Sequence, residues 1–226
     1  MLLSRAHRFL FIHVCKTGGT SVRRALAPYA DRPGRPPRPW ARWRPGLPPA
    51  ADPCPLLPAH ATAAEARAAL PAALFDGCFK FAFVRNPWDW QVSWYHFLRR
   101  DTGHPQHALA SRMAGFADFL RWRARHDPLL QKSFLTDAAG GPLVDFVGRF
   151  ESLAEDFRFV CGAVGVRAGL PHLNRSPHGD YRSYYTPETR RLVEEVWRED
   201  IECFGYEFDP PAKQGFIPSQ PAPRRT

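Results

Sequence analysis

The chain has 226 residues, of which 44% are hydrophobic and 23% charged. That balance excludes wholesale disorder, and the length is enough to bury a core without disulfide staples. Lys and Arg number 31 against 22 Asp and Glu, a net charge of +9 that favours an anionic partner: nucleic acid, phosphate, sulfate or acidic glycan.

In chain order, Phe9 to Val14 (FLFIHV) reads as a buried strand. The turn Cys15-Lys16-Thr17-Gly18-Gly19-Thr20-Ser21 follows, and a helix begins at Val22. Between Pro28 and Pro58, eleven of 31 residues are Pro and five are Arg, which excludes an ordinary helix or central strand and predicts a long surface insertion. Thr62 to Glu65 is a capping box opening a short Ala-rich helix to about Leu70. Phe79 to Val84 (FKFAFV) is a second strand, followed by the turn Arg85-Asn86-Pro87 and a helix from about Trp88 to Arg99. Two or three helical pieces are expected over Gln106 to Leu135, a third strand over Val144 to Phe150, and an amphipathic helix over Glu151 to Val164. Thr186 and Pro187 supply an N-cap and first-turn proline for a last helix with Leu192, Val193, Val196, Trp197, Ile201 and Phe204 on its apolar face. Residues 209–226 read as a Pro-rich tail, leaving one domain over residues 1–208. Alternating strands and helices predict an α/β fold, P-loop-like and three-layered, with a central parallel sheet flanked by helices. Ligands in such sheets sit beyond the carboxyl ends of the strands, where both distinctive turns lie.

Five widely spaced cysteines with no CxxC pair argue against a zinc or redox centre. An odd count, a charged start too short for a signal peptide and no apolar run near 18 residues point to a cytoplasmic protein without a transmembrane segment. There is no cluster of metal-ligating carboxylates, so no metal is expected.

The first turn joins a buried strand to a helix through two glycines. Glycine admits positive φ and close backbone approach, and the helix start behind it presents unpaired N–H groups, which together make an anion cradle. Lys16 adds a full charge; Thr17, Thr20 and Ser21 add hydroxyls. A Walker A loop has its Lys after the glycines, whereas here Lys16 precedes them, so a kinase-type nucleotide loop fits poorly. In the second turn, Arg85 leaves the strand end and Ser93 stands eight residues later on the next helix; Arg suits bidentate grip on a phosphate and a Ser hydroxyl can join it.

FIHVCKTGGTS and FAFVRNPWDWQVSWY together closely resemble the 5′-phosphosulfate and 3′-phosphate loops of sulfotransferases, above all the carbohydrate-type, family-2 enzymes. The runs VGRFESLAEDFRFV and LPHLNRSPHGDYRSYYTPETRRLVEEVWREDIECFGYEF look like the C-terminal half of that family, so the resemblance covers about residues 8 to 208 less the insertion. It implies transfer of a sulfuryl group from 3′-phosphoadenosine 5′-phosphosulfate (PAPS) to an acceptor hydroxyl, usually on a sugar. It also implies that Lys16, Thr17, Gly18, Gly19, Thr20 and Ser21 hold the 5′-phosphosulfate, with Lys16 neutralising the charge that grows on the bridging oxygen. Arg85 and Ser93 then hold the 3′-phosphate. The segment with Arg175 and Arg182, just before the last helix, reads either as a second contact to that phosphate or to the acceptor, or as a plain solvated loop. Cys15 departs from the family loop, which usually has Pro there.

An acceptor hydroxyl needs a general base. His60 is the first choice, in a region where carbohydrate-type relatives place one. His13 reads as a core residue, His96 as a packing residue, and His104 and His107 as loop residues; Glu151 is the carboxylate alternative. The Arg32–Arg44 run is either a solvated linker or a guide for an acidic glycan. Two other readings stand beside the enzyme: a basic nucleic-acid binder, for which no recognised motif is present, and an inactive relative that binds the nucleotide without turnover.

Overall fold

A computed structural model describes residues 1–31, 57–171 and 179–209. The described residues form two compact units, one from residues 1–84 and 133–174, the other from 85–132 and 175 onward.

The first unit carries a four-stranded sheet in the order β1 (Leu2–Ser4), β2 (Phe9–Ile12), β3 (Phe79–Val84), β4 (Phe146–Arg149). β2, β3 and β4 run parallel, with Phe9 opposite Phe79 and Phe81 opposite Phe146. The expected parallel sheet is therefore present, with one addition: β1 is an antiparallel edge strand, too short and too close to the chain start to stand out in sequence. Phe9, Phe11, Phe81 and Phe83 point to one face and pack with Val22 and Leu26 of α1 (Gly19–Leu26) and Phe157 and Val160 of α7 (Leu153–Val164). Leu10, Ile12, Ala82 and Val84, on the other face, are buried too. Burial on both faces is why these strands read as continuous apolar runs. Each buried Phe or Ile contributes about 1.5–3 kcal/mol, so the sheet is a rigid base for the loops that leave it. Two short helices, α2 (Ala63–Ala69) and α3 (Ala72–Gly77), precede β3, and the expected capping box is formed by Thr62 and Glu65.

The second unit is helical: α4 (Pro87–Arg100), α5 (His107–Arg112), α6 (Phe116–His126), α8 (Pro187–Val196) and α9 (Arg198–Phe204). Its centre holds Trp90 and Trp94 of α4 with the fully buried Arg123 of α6, whose guanidinium lies 4.7 Å from the Trp94 ring centre. Arg123 Nε donates to Gln91 Oε1 (2.8 Å) and its Nη1 to Asp127 Oδ2 (2.8 Å), so the charge is neutralised where it is buried. The single last helix expected from the apolar stripe is broken at Trp197, and one turn later the buried face carries a carboxylate, Asp200. His107 opens α5 and is not a loop residue; its Nδ1 donates to Leu98 O (2.8 Å).

The insertion expected over residues 28–58 is described only to Asp31 and from Leu57. Its Arg32–Arg44 run, Cys54, Arg175 and the tail beyond Asp209 lie outside the described residues.

Candidate active site

β2 ends at Ile12, and the chain runs through buried His13 and Val14 into the glycine turn. Thr17 Oγ1 donates to Val14 O (2.9 Å) and Ser21 N to Gly18 O (3.0 Å), closing the turn on itself. Lys16 (φ 64°) and Gly18 (φ 80°) both take left-handed backbone, two residues apart. Such alternation turns successive N–H groups toward one point and makes an anion-binding concavity. Among the described residues, the N–H groups of Thr17, Gly18, Gly19 and Thr20 have no hydrogen-bond partner. Four consecutive unpaired donors, at a helix start and beside a lysine, are an electrostatic match for an anion.

At both glycines a side chain would press on a neighbouring one. A Cβ on Gly18 would lie 2.6 Å from Leu153 Cδ2, and one on Gly19 would lie 2.0 Å from His13 Cδ2 and 2.1 Å from its Nε2. The His13 ring therefore rests on the first residue of α1. His13 is 6% exposed, and burial lowers its pKa to about 3, with His60, the chain's first amine and Arg23 adding to the shift. The ring is neutral, and its Nδ1 is buried without a partner among the described residues.

His60 lies with its ring 4.4 Å from that of His13, and its Nδ1 is 2.9 Å from His13 O. A carbonyl can only accept, so Nδ1 carries the proton and the neutral ring keeps its lone pair on Nε2, the form a general base needs. His60 is exposed. The structure thus brings His60 to the residues that frame the turn: its partner His13 is the residue packed on Gly19. Glu151 lies on the 3₁₀ turn Phe150–Ser152, whose Phe150 ring faces Gly18, and is exposed.

In the second unit, Arg85 is 3% exposed. Its Nε donates to Asp89 Oδ2 (2.7 Å), and its backbone N–H and C=O are both bonded to the Gln131 side chain, at 2.8 Å each. Asn86 caps α4, accepting from Trp88 N (3.0 Å) and Asp89 N (3.3 Å), while Pro87 needs no donor partner at the first helical position. Arg85, Asp89 and Ser93 follow at intervals of four, which aligns Asp89 and Ser93 on one face of α4. Ser93 is buried, and its Oγ has no hydrogen-bond partner among the described residues. Arg182 lies on the 3₁₀ turn Tyr181–Tyr184, which packs on α4, with its Nε on Asp209 (2.8 Å) and its Nη1 on Asp180 (3.1 Å). His96, read as a packing residue, bonds Tyr184 Oη through Nε2 (2.8 Å).

The model of the "Sulfotransferase family" matches residues 1–207. The chain belongs to the sulfotransferase family. An uncharacterized protein of Archaeoglobus fulgidus is 30% identical to this sulfotransferase over 112 residues, 48% of this chain and 87% of that one. A crystal structure of mouse sulfotransferase SULT7A1 complexed with PAP is similar at 14% identity with a TM-score of 0.48, covering 88% of this chain and 85% of that one.

Sequence reasoning missed four residues of this sulfotransferase that shape the two segments. Asp89 had a signal, its four-residue spacing from Arg85. His13 had a weaker one, a titratable ring in a buried strand. Gln131 and Asp200 had none, because a buried amide or carboxylate is recognised only by what it meets in space. Among the described residues no group of His, Cys, Asp and Glu is arranged to hold a metal ion, and no helix is long and apolar enough to cross a membrane.

Proposed function

We propose that the chain transfers a sulfuryl group from PAPS to a hydroxyl of a saccharide. The observation that carries this reading is the run of unpaired N–H groups from Thr17 to Thr20 in the turn that Lys16 opens. The buried, partnerless hydroxyl of Ser93 supports the second half of the donor site, because a buried donor without an acceptor is costly unless a ligand supplies one. These groups fit the donor's two anionic ends in type: backbone N–H groups and an ammonium for the phosphosulfate, a guanidinium and a hydroxyl for the 3′-phosphate.

The bound donor supplies an activated sulfuryl group on a phosphate leaving group, and its transfer resembles phosphoryl transfer in needing position and charge more than covalent help from the protein. Thr17, Gly18, Gly19 and Thr20 offer backbone N–H groups to the phosphosulfate, and Ser21 and Thr17 frame the turn. Lys16 would offset the negative charge that grows on the leaving oxygen. Arg85 and Ser93, with Arg182, hold the 3′-phosphate. His60 Nε2 takes the proton from the acceptor hydroxyl, worth roughly 100- to 10,000-fold in rate. The His13 carbonyl holds the tautomer that leaves this nitrogen unprotonated. The saccharide acceptor is supported by the resemblance of the two loops to carbohydrate-type enzymes. A cytoplasmic setting is supported by the free thiols of Cys78, Cys161 and Cys203 among the described residues.

Transfer of labelled sulfate from PAPS is measured against a panel of glycans, a tyrosine peptide and simple alcohols, beside thermal shift with adenosine 3′,5′-bisphosphate, ATP and duplex DNA. Selective stabilisation by the bisphosphate and labelling of a glycan, both lost in Lys16→Ala, are expected. Stabilisation without transfer to any acceptor refutes turnover, and an equal response to DNA refutes the donor site.

A further inference from the structure

The residue following β3 is held by polar groups that are themselves deeply buried. Gln131 has no exposed surface, and its amide grips both backbone groups of Arg85: Oε1 accepts Arg85 N–H and Nε2 donates to Arg85 O. This is a two-bond clamp of the kind a neighbouring strand provides, supplied here by one side chain. Gln131 is fixed in turn. Its N–H donates to Asp200 Oδ2 (2.8 Å), and the N–H of Lys132 donates to Asp200 Oδ1 (2.8 Å). Just before Asp200, Trp197 is fully buried and donates from Nε1 to Leu129 O (2.8 Å). The start of α9 therefore pins the irregular segment Leu129–Lys132 at three points, and that segment pins Arg85.

A fully buried carboxylate and amide cost desolvation, offset here because they satisfy backbone N–H and C=O groups that apolar side chains would leave unpaired. What they add is direction. With its peptide clamped by Gln131, its Nε on Asp89 and the next residue locked as the α4 cap, Arg85 has little freedom of its own. We propose that Gln131 and Asp200 are positioning residues that pre-orient Arg85 for a 3′-phosphorylated nucleotide, setting the preference for that phosphate over a nucleotide without it. This rests on the donor reading above. Neither residue touches the ligand; both act through Arg85, in the way a supporting shell fixes a binding group.

The test compares the dissociation constants of adenosine 3′,5′-bisphosphate and adenosine 5′-monophosphate, by calorimetry, for the wild type, Gln131→Glu and Asp200→Asn. Gln131→Glu keeps an acceptor for Arg85 N–H and removes the donor to Arg85 O. Asp200→Asn sets an amide donor against one of the two N–H groups. The wild type is expected to prefer the bisphosphate. Each folded variant is expected to lose at least about tenfold of that preference, with monophosphate affinity unchanged and with donor KM raised more than kcat falls. Loss of affinity for both nucleotides alike, or an unchanged preference, overturns the positioning role. A wild type with no preference sinks the donor reading itself, a separate result. Should neither variant fold, hydrogen exchange on the wild type decides: the amides of Arg85, Gln131 and Lys132 are expected to slow with bisphosphate and not with monophosphate, and equal protection by both overturns the proposal.

Discussion

Gly19→Ala tests the packing under the cradle, because two effects of known sign oppose each other there. Gly19 is the first residue of α1 and has no positive φ, so alanine fits the backbone and gains up to about 1 kcal/mol of helix propensity. Against this, the new Cβ would sit 2.0 Å from His13 Cδ2. Ordinary contact requires about 3.5 Å, so ring and helix must separate by roughly 1.5 Å. His13 has little room to yield: its ring stacks on Phe11 at 5.6 Å and meets His60 at 4.4 Å. Overpacking costs about 1–3 kcal/mol, and the upper half of that range applies. A net loss of about 1–2 kcal/mol is expected, a fall of about 2–8 °C in Tm for a chain of this size, together with weakened bisphosphate binding as the Gly19 N–H is displaced. In the His13→Ala background the obstacle is gone and only the propensity gain remains, so Gly19→Ala should then be neutral or stabilising. Urea denaturation of the four proteins in the cycle gives the coupling directly. A Gly19→Ala penalty of the same size with and without the His13 ring would refute the steric argument.

Three further outcomes follow from the same geometry. His60→Gln should lower kcat by about 100-fold or more and leave bisphosphate affinity unchanged in calorimetry; an equal loss of both would mean that His60 holds the turn and does not move a proton. Ser93→Ala removes a buried hydroxyl without a partner, so it should raise apo stability by up to about 1 kcal/mol while weakening the bisphosphate and not the monophosphate, read by thermal shift with and without each ligand. The pH dependence of stability sets His13 against Asp200. The His13 pKa falls to about 3, so the unfolded chain takes up that proton first, and this stability, complete above the unfolded value of 6.5, is lost as pH drops toward 3. Burial raises Asp200 to about 6, so the folded chain holds that proton first, and this stability, complete below the unfolded value of 3.8, is lost as pH rises through 6. Between pH 4 and 6 the two slopes, each near 1.4 kcal/mol per pH unit, oppose. Asp200→Asn should therefore steepen the acid loss, measured as urea midpoints across that interval.

The legible parts of this chain were those whose physics is local in sequence. β2 and β3 announced themselves as apolar runs because both faces of the sheet are covered. The turn between β2 and α1 was legible because glycine pairs, a lysine and hydroxyls are the residue types an anion cradle needs. The Thr62–Glu65 and Thr186–Pro187 helix starts were legible because capping is a matter of residues three apart. Failures of reading came where a partner lay far along the chain. The stripe on the last helix was read as unbroken apolar core, yet Asp200 shares its buried side, since the N–H groups it serves belong to residues 131 and 132. His13 was read as a core residue and is buried; its contact with His60, 47 residues away, is what the sequence did not show. β1 escaped because three residues cannot show a period.

Among the described residues, unmet polar groups occur at the binding groups and also elsewhere, as at the buried Gln91 Nε2 and Trp94 Nε1. Four backbone N–H groups in the cradle and the hydroxyl of Ser93 have no partner among the described residues, while Arg85, buried nearly as deeply, has its peptide and its Nε engaged by Gln131 and Asp89. A chain selected for stability alone would fill the first set with side-chain caps. In the cradle and at Ser93 the unmet groups are of the type an anionic ligand would satisfy, so binding there returns their cost. The relief is measurable: a ligand at 100 times its dissociation constant adds about 2.7 kcal/mol to stability. The variants that remove unmet groups should then narrow the gap between apo and bound proteins from the apo side, and those that loosen the clamp should narrow it from the bound side.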